Sequence, residues 1–416
     1  MVGLLLVVLV GMFGLVVDSG QLYVNKAELQ SAADACALAA AQELNCQSAA
    51  AGGAAGIVNC PASFLLAAET AGSFVGAKNK ARLQSSAVTI AAADVRFSTT
   101  LGPNSGYLSR ADGANVNARF AMCIARSNGV TPWVMGVVGA TPTNLSAVGV
   151  ATQAPGKSFC SAAPIGLCNV AGGTAPNFGY TVGAWISANF NSSGNGNNET
   201  TQVTGSFRWV DYTNAGSANE VREQLYGKAR TCNLRVGNNT QEPANNQSTK
   251  FAYNSRFGIY ANGSGESKLT APPDRSGYAY PNKSPDAGFP LIAVGASAYA
   301  DYVRRQGLGS AFVTTQYNLP GNIVTALDVI STTAEHQTYG TDRRLIPVPV
   351  VNCGGGIEPI LGMACVLLLN PMATGADGII YLEYRGNAAN TGSPCRILGT
   401  AGGPGGSGPL VPTLLQ

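Results

Sequence analysis

Residues 1–17 are apolar without interruption, and the first charge in the chain is Asp18. Beyond it the pattern changes without breaking. Leu22, Leu29, Ala33, Cys36, Ala40 and Leu44 recur at helical spacing, and "AELQSAADACALAAAQEL" consists of strong helix formers. The spacing predicts one helix of about 45–50 residues, apolar in its first half and amphipathic in its second, ending in the glycines at 52–56. The apolar half would extend about 26 Å, just short of a hydrocarbon layer of roughly 30 Å. It is read as a transmembrane helix, barely long enough, and its rigid continuation suits either a membrane anchor or a helix that packs beside copies of itself.

Further along, "PASFLLAAETAGSFVGAKNKARL" (61–83) predicts a second helix with Pro61 at its start. "SSAVTIAAADVRF" (85–97), "ANVNARFAMCIARS" (114–127) and "LSAVGVATQ" (145–153) predict strands, with a short helix in "TPWVMGVVGA" (131–140). From "PGKSFCSAAPIGLC" onward the pattern turns to short strands and loops rich in Gly, Pro and Asn. Strands are expected in "GYTVGAWISANF", "TGSFRWVDY", "RRLIPVPVVNC", "GMACVLLLN" and "DGIIYLEYRG", and a short helix in "NEVREQLYGKA", stopped by Gly227. Residues 235–290 have little periodicity, and much of the stretch reads as ordered loop. The fold class is α+β, with domains at 1–56 (long helix), 57–155 (a helix on a small antiparallel sheet) and 156–416 (β-rich, loop-rich and disulfide-bonded).

Composition narrows the setting. Only 11% of the 416 residues are charged, and there are 52 glycines, against roughly 25% charged residues and about 29 glycines for average usage. A surface of Ser, Thr, Asn and Gly suits an extracellular or self-associating protein better than a cytoplasmic enzyme. The formal charge of +3 is scattered, without a Lys/Arg cluster to follow a phosphate backbone, so nucleic acid is not an expected partner.

Ten cysteines stand at Cys36, Cys46, Cys60, Cys123, Cys160, Cys168, Cys232, Cys353, Cys365 and Cys395. Structural zinc favours C-x2-4-C pairs, and the closest two here are Cys160 and Cys168. Three to five disulfides in an oxidising compartment are expected instead. The simplest pairings are Cys46 with Cys60, Cys160 with Cys168, and Cys353 with Cys365 or Cys395.

Signs of catalysis are few. The single histidine, His336, has no accompanying nucleophile or acid signature, and no nucleophile elbow, zinc-protease helix, phosphate loop or EF-hand ladder occurs. No cofactor is expected, although a structural calcium held by loop carbonyls and one or two carboxylates need not leave regular spacing. Seven N-x-S/T sites, among them Asn144, Asn238 and Asn262, are what chance supplies in so polar a chain. Aromatic clusters in "SFRWVDY", "FAYNSRFGIY" and "RSGYAY" have two readings. Their rings anchor long loops on the core, or Trp209, Tyr212, Tyr278 and Tyr280 form a subunit or ligand contact.

The first helix also carries a family resemblance. Asp18, Gly20, Leu22 and Tyr23, then Leu29, Gln30, Ala32, Ala33, Asp34, Ala35, Cys36, Ala37, Leu38 and Ala39–Ala41, resemble the opening of TadE/TadG-like proteins of bacterial tight-adherence (Flp-type) pilus systems. More loosely, "CSAAPIGLC", "RRLIPVPVVNCGGG" and "YLEYRG" resemble the long members of that group. The resemblance implies an exported, pilin-like or pilus-accessory protein without enzymatic activity. Leu5 stands where type IV pilins carry Glu, and the D-x-S-x-S metal motif of some TadG proteins is absent.

Together these readings describe a subunit of a helical homo-oligomeric filament at the cell surface, reaching it from the inner membrane through the pilus secretion machinery. Leu4, Leu5, Leu6, Leu9, Phe13, Val17, Leu22, Leu29, Ala33, Cys36 and Ala40 form its assembly helix. With no basic flank before the apolar run, a short basic leader removed ahead of Met1 is expected. The alternatives are an anchored periplasmic assembly factor and a secreted glycan-binding adhesin whose contact includes Trp209.

Overall fold

In the computed structural model, α1 (Val2–Glu43) is a continuous helix of 42 residues, somewhat shorter than expected. The structure describes all residues except 1, 45–62, 103–104, 161, 191–202, 244–247, 286–289, 319–322, 374–377, 391–392, 396, 398, 403–405 and 416. The glycines at 52–56 and the expected Cys46–Cys60 pairing lie outside the described residues. The expectation of a transmembrane helix is corrected: among the described residues no helix is long and apolar enough to cross a membrane. The apolar run stops at Asp18 after about 26 Å, short of the roughly 30 Å required, and the same helix continues through Lys26, Glu28 and Asp34.

Two compact units divide the chain. The first is built on residues 1–46, 60–153 and 412–416, the second on 154–411. In the first, α1 packs with α2 (Ser63–Gly76) and a sheet. Here β1 (Lys80–Ala81) and β2 (Ser86–Ala87) form a short ribbon. The sheet proper runs β4–β3–β5–β6, all antiparallel, from β3 (Val95–Ser98), β4 (Leu108–Ser109), β5 (Phe120–Val130) and β6 (Thr143–Phe159), with the unit boundary falling inside β6. Alternation along β5 turns Ala121, Cys123 and Ala125 inward, where they meet Leu29, Ala33, Cys36, Leu65, Val95 and Phe97 in one apolar core. The strand expected over 85–97 is interrupted by a 3-10 turn at Ala92–Asp94.

The second unit holds a seven-stranded mixed sheet in the order β10–β7–β14–β16–β17–β8–β9. Its members are β7 (Ile165–Cys168), β8 (Trp185–Phe190), β9 (Val203–Gly205), β10 (Phe207–Trp209), β14 (Leu345–Val351), β16 (Gly362–Leu368) and β17 (Ile379–Asn387). Smaller pieces surround it: α3 (Ala218–Tyr226), β11 (Asn239–Gln241), α4 (Ser248–Ser255), β12 (Ile259–Tyr260), α5 (Tyr299–Leu308), β13 (Val329–Ile330), α6 (Thr333–Tyr339), β15 (Ile357–Pro359), β18 (Gly399–Ala401) and the start of β19 (Leu410–Leu415). Every residue of β14 and β16 is buried, as apolar runs covered on both faces require. Pro347 and Pro349, which have no N–H to give, fall where β14 pairs only with β16, since β7 joins at Val350. Gly227, the expected stop of α3, adopts a φ of 83° and closes the helix from the left-handed region.

This is the α+β class that the hydrophobic pattern predicts, but the disulfides differ from the simplest pairings. They join Cys36 to Cys123 in the first unit, and Cys160 to Cys232, Cys168 to Cys353 and Cys365 to Cys395 in the second. Cys160–Cys168 and Cys353 with Cys365 or Cys395 are therefore corrected. The extended strand β7 carries Cys168 away from Cys160. It lies beside the end of β14, where Val351 pairs with Cys168 and Cys353 is two residues further on. Cys365 sits in mid-strand opposite Pro347, out of reach of Cys353 beyond the end of β14.

Candidate functional site

Along its first half, α1 is fastened to its own unit by one side. Gly14, Asp18, Gln21 and Asn25 fall on one line at helical spacing. Gly14 is buried, and a Cβ there would stand 2.7 Å from Val134 Cγ1, so a larger residue would push against the Val134 side chain. One turn on, the buried Asp18 carboxylate accepts backbone N–H groups from Trp133 (2.7 Å), Val134 (3.1 Å) and Met135 (2.7 Å). These open the 3-10 helix Met135–Val138, so Asp18 caps it from outside its own chain segment. Burial pushes the Asp18 carboxyl up, but the three N–H donors outweigh it and hold the group below its ordinary value.

The opposite side of the same stretch is uncovered. Leu9, Met12, Val16 and Tyr23 lie across the helix from the Gly14–Asp18 line, with Phe13 and Leu15 beside them. Phe13 and Val16 are each 67% exposed. So dense a run of large exposed apolar side chains on one helix marks an interaction surface. Of the residues expected to assemble, Leu9 and Phe13 are on this surface, and Val17 and Leu22 are half-buried. The side chains of Leu4, Leu5 and Leu6 lie outside the described residues.

The second half of α1 has its surface taken by the chain itself. Leu29, Ala33, Cys36 and Ala40, expected to meet neighbouring copies, are fully buried in the first unit. Small side chains make this approach possible: Gly149 of β6 faces the Ala33 backbone, where a Cβ would come within 2.7 Å, and Gly72 and Gly76 of α2 face Cys36 and Ala32. The Cys36–Cys123 bridge ties α1 to β5. Gln30 Nε2 donates to Val148 O (2.9 Å), and Gln153 Nε2 donates to Ala41 O (2.9 Å). Glu28 accepts N–H groups from Leu83 and Gln84, both at 3.1 Å. That contact holds three successive residues, Arg82, Leu83 and Gln84, at φ values of 56–63°, a conformation non-glycine residues enter only when their surroundings impose it.

Trp209, Tyr212, Tyr278 and Tyr280, the candidate contact rings of the second unit, are all buried. Trp209 meets Tyr253 edge-on, Tyr212 donates to Ala163 O (3.0 Å), and Tyr280 donates to Asp301 (2.7 Å). The contact reading is corrected: these rings pin loops to the core and present no surface.

Sequence reasoning did not find the polar hub around Asp274. This wholly buried carboxylate accepts from the Ser276, Arg343 and Arg344 N–H groups and from the Tyr302 hydroxyl, all at 2.8–3.0 Å. Arg344, also fully buried, donates to the carbonyls of Ser276, Tyr278 and Leu368. His336 lies against the hub with Nδ1 2.6 Å from the Asp274 carbonyl and Nε2 unpartnered. Burial drives its imidazole below the ordinary value, opposed by the Asp274 carbonyl and charge. Every carboxylate oxygen and guanidinium here serves the fold, and among the described residues no group of three or more His, Cys, Asp or Glu could hold a metal ion. The signal available was the pairing of "PPDRSG" with "DRRL", two charge-bearing turns in apolar surroundings.

Residues 1–43 match the family model described as Flp pilus-assembly TadE/G-like. The match covers about one tenth of the chain and coincides with α1; the remainder is unassigned. No curated protein and no solved structure matches the chain. The four disulfides among the described residues fit an oxidising, non-cytoplasmic compartment.

Proposed function

We propose that the chain is a structural subunit of a Tad-type surface filament, joining its neighbours through the uncovered apolar side of the first half of α1. The observation that carries this reading is a coincidence of place. The helix similar to the TadE/G-like family is also the element that leaves Leu9, Met12, Phe13, Leu15 and Val16 in solvent. Burying such a stripe against the same stripe of another copy would contribute roughly 1.5–3 kcal/mol per large side chain. The second unit, which holds three of the four disulfides found among the described residues, takes no part in this contact and would supply the coat of the filament. The test is to shear cells that make the chain and image the released material. Filaments containing it as the main component, lost in Phe13→Glu/Val16→Glu, are expected; retention of the chain in the cell fraction with filaments intact overturns the reading.

A second reading, a filament-associated assembly factor, is favoured by the burial of Leu29, Ala33, Cys36 and Ala40 within the chain. This leaves only half of the helix for contacts. The same shearing experiment separates the two, since an assembly factor stays with the cells while its loss abolishes filaments.

A further inference from the structure

Opposite the line that fastens it, α1 keeps one face uncovered well beyond the apolar stripe. Phe13, Val16, Gly20, Tyr23, Ala27 and Ser31 follow one another at helical spacing, and all are exposed. From Leu9 to Ser31 this face extends roughly 33 Å. Behind it Gly14, Asp18, Asn25 and Leu29 are buried against the first unit, to which the whole stretch belongs. A helix backed by its own protein on one side and open on the other is built to lie on an apolar medium rather than to pass through it.

Charge decides what that medium is. No charged residue precedes Asp18, and past it both flanks of the face become cationic. Lys26 and Glu28 fall on opposite flanks at helical spacing. On the Glu28 flank, the chain leaving α2 brings Lys78 and Lys80 to a groove of about 490 Å3 that they share with Tyr23, Ala27 and Ser31. Both lysines are exposed, and neither has a carboxylate partner among the described residues. Glu28, the one carboxylate lining the groove, spends both oxygens on Leu83 and Gln84. On the other flank Lys26 is exposed and donates to the Ser146 carbonyl. Tyr23, 78% exposed, stands where the apolar stretch meets the cations, the setting that an aromatic ring with one polar end prefers. A second copy of α1 could cover Phe13 and Val16, but its own uncovered face carries no free carboxylate to answer the lysines. A layer of anionic phospholipid answers both. Its acyl boundary takes the apolar centre, and its phosphates meet Lys26, Lys78 and Lys80, whose long stems reach outward from the flanks.

We propose that this face docks the first unit on an anionic phospholipid surface, with α1 lying in the plane of the headgroups. The contact needs no second copy and goes beyond the filament reading. The experiment is flotation of the full chain with vesicles of phosphatidylcholine alone and with vesicles containing about one third phosphatidylglycerol. Aggregates do not float, so self-association is not scored as binding. Binding to the anionic vesicles is expected to be at least tenfold tighter than to the neutral ones and to weaken as salt is raised. Lys78→Glu/Lys80→Glu is expected to weaken it at least tenfold, since each lysine at an anionic surface contributes on the order of fivefold. Lys26→Glu, on the other flank, carries the test if that pair fails to fold. Absence of flotation with anionic vesicles, equal binding to both compositions, or binding unchanged by these reversals overturns the assignment. Soluble oligomers that dissociate in Lys78→Glu/Lys80→Glu, with no flotation, would give the groove to a second copy instead. Flotation with no filaments in sheared material would remove the filament reading and leave this one standing.

Discussion

Asp18 joins two roles that the sequence shows as one. It ends the apolar run, and it caps a 3-10 helix more than a hundred residues away, through Trp133, Val134 and Met135. Its lowered native pKa sets the sign of its contribution. The stabilisation is present above the ordinary value of 3.8 and is lost as pH falls through the lowered native value. Asp18→Ala is expected to lower the Tm at neutral pH and to flatten the acid end of the pH–stability curve, which thermal melts across pH 2–5 would check. His336 acts in the same direction over a higher window. Because its folded pKa lies below the ordinary 6.5, the unfolded chain takes up the proton first, so stability is complete above that value and falls as pH drops through the lowered native one. The Tm at pH 5 is expected below that at pH 7.5, with the difference narrowing in His336→Gln; an unchanged difference would count against it. Neither role was legible beforehand. Asp18 was visible as a boundary, but its partners are distant in sequence, and a lone histidine says nothing of a carbonyl supplied by Asp274.

Among the elements, α1 was the most legible and the most altered in meaning. Its helical continuity and its division at Asp18 follow from composition, because alanine, leucine, glutamine and glutamate all favour helix. The partner of its alanine-rich face does not. Small residues permit close approach by any neighbour, and the neighbours here are α2 and β5 of the same chain. Gly149→Ala is the direct probe, because the new methyl would meet the Ala33 backbone at 2.7 Å. Backbone cannot swing aside as a side chain can. A loss of roughly 1–3 kcal/mol in denaturant unfolding is expected, and a neutral result would mean that α1 does not lie so close. Strands β14, β16 and β17 were equally readable as apolar runs. Helices α4 and α5 were not: Asp301 and Arg305 of α5 are buried beside Tyr299 and Tyr302, so its inner face is aromatic and charged and shows no apolar period.

At the scale of the molecule, the disulfides decide how much unfolding is tolerated. Cys36–Cys123 closes 87 residues of the first unit, a span for which loop entropy gives about 4–5 kcal/mol. Cys36→Ser/Cys123→Ser is expected to lower first-unit stability by that order, read by denaturant titration with probes in that unit. Cysteine content announced an oxidised protein, whereas pairing depends on which strands become neighbours, and β7 reaches β14 only across some 180 residues of chain. That distance also bears on the order of events during synthesis. Cys168 pairs with Cys353, 185 residues later, and Cys160 with Cys232, 72 residues later. A chain that emerges N-terminus first offers Cys160 and Cys168 to each other before either native partner arrives. Maturation then requires proofreading as well as oxidation. Recovery of the reduced chain is expected to rise when a thiol–disulfide isomerase accompanies the oxidant, and equal recovery with oxidant alone would show that the early pair never forms.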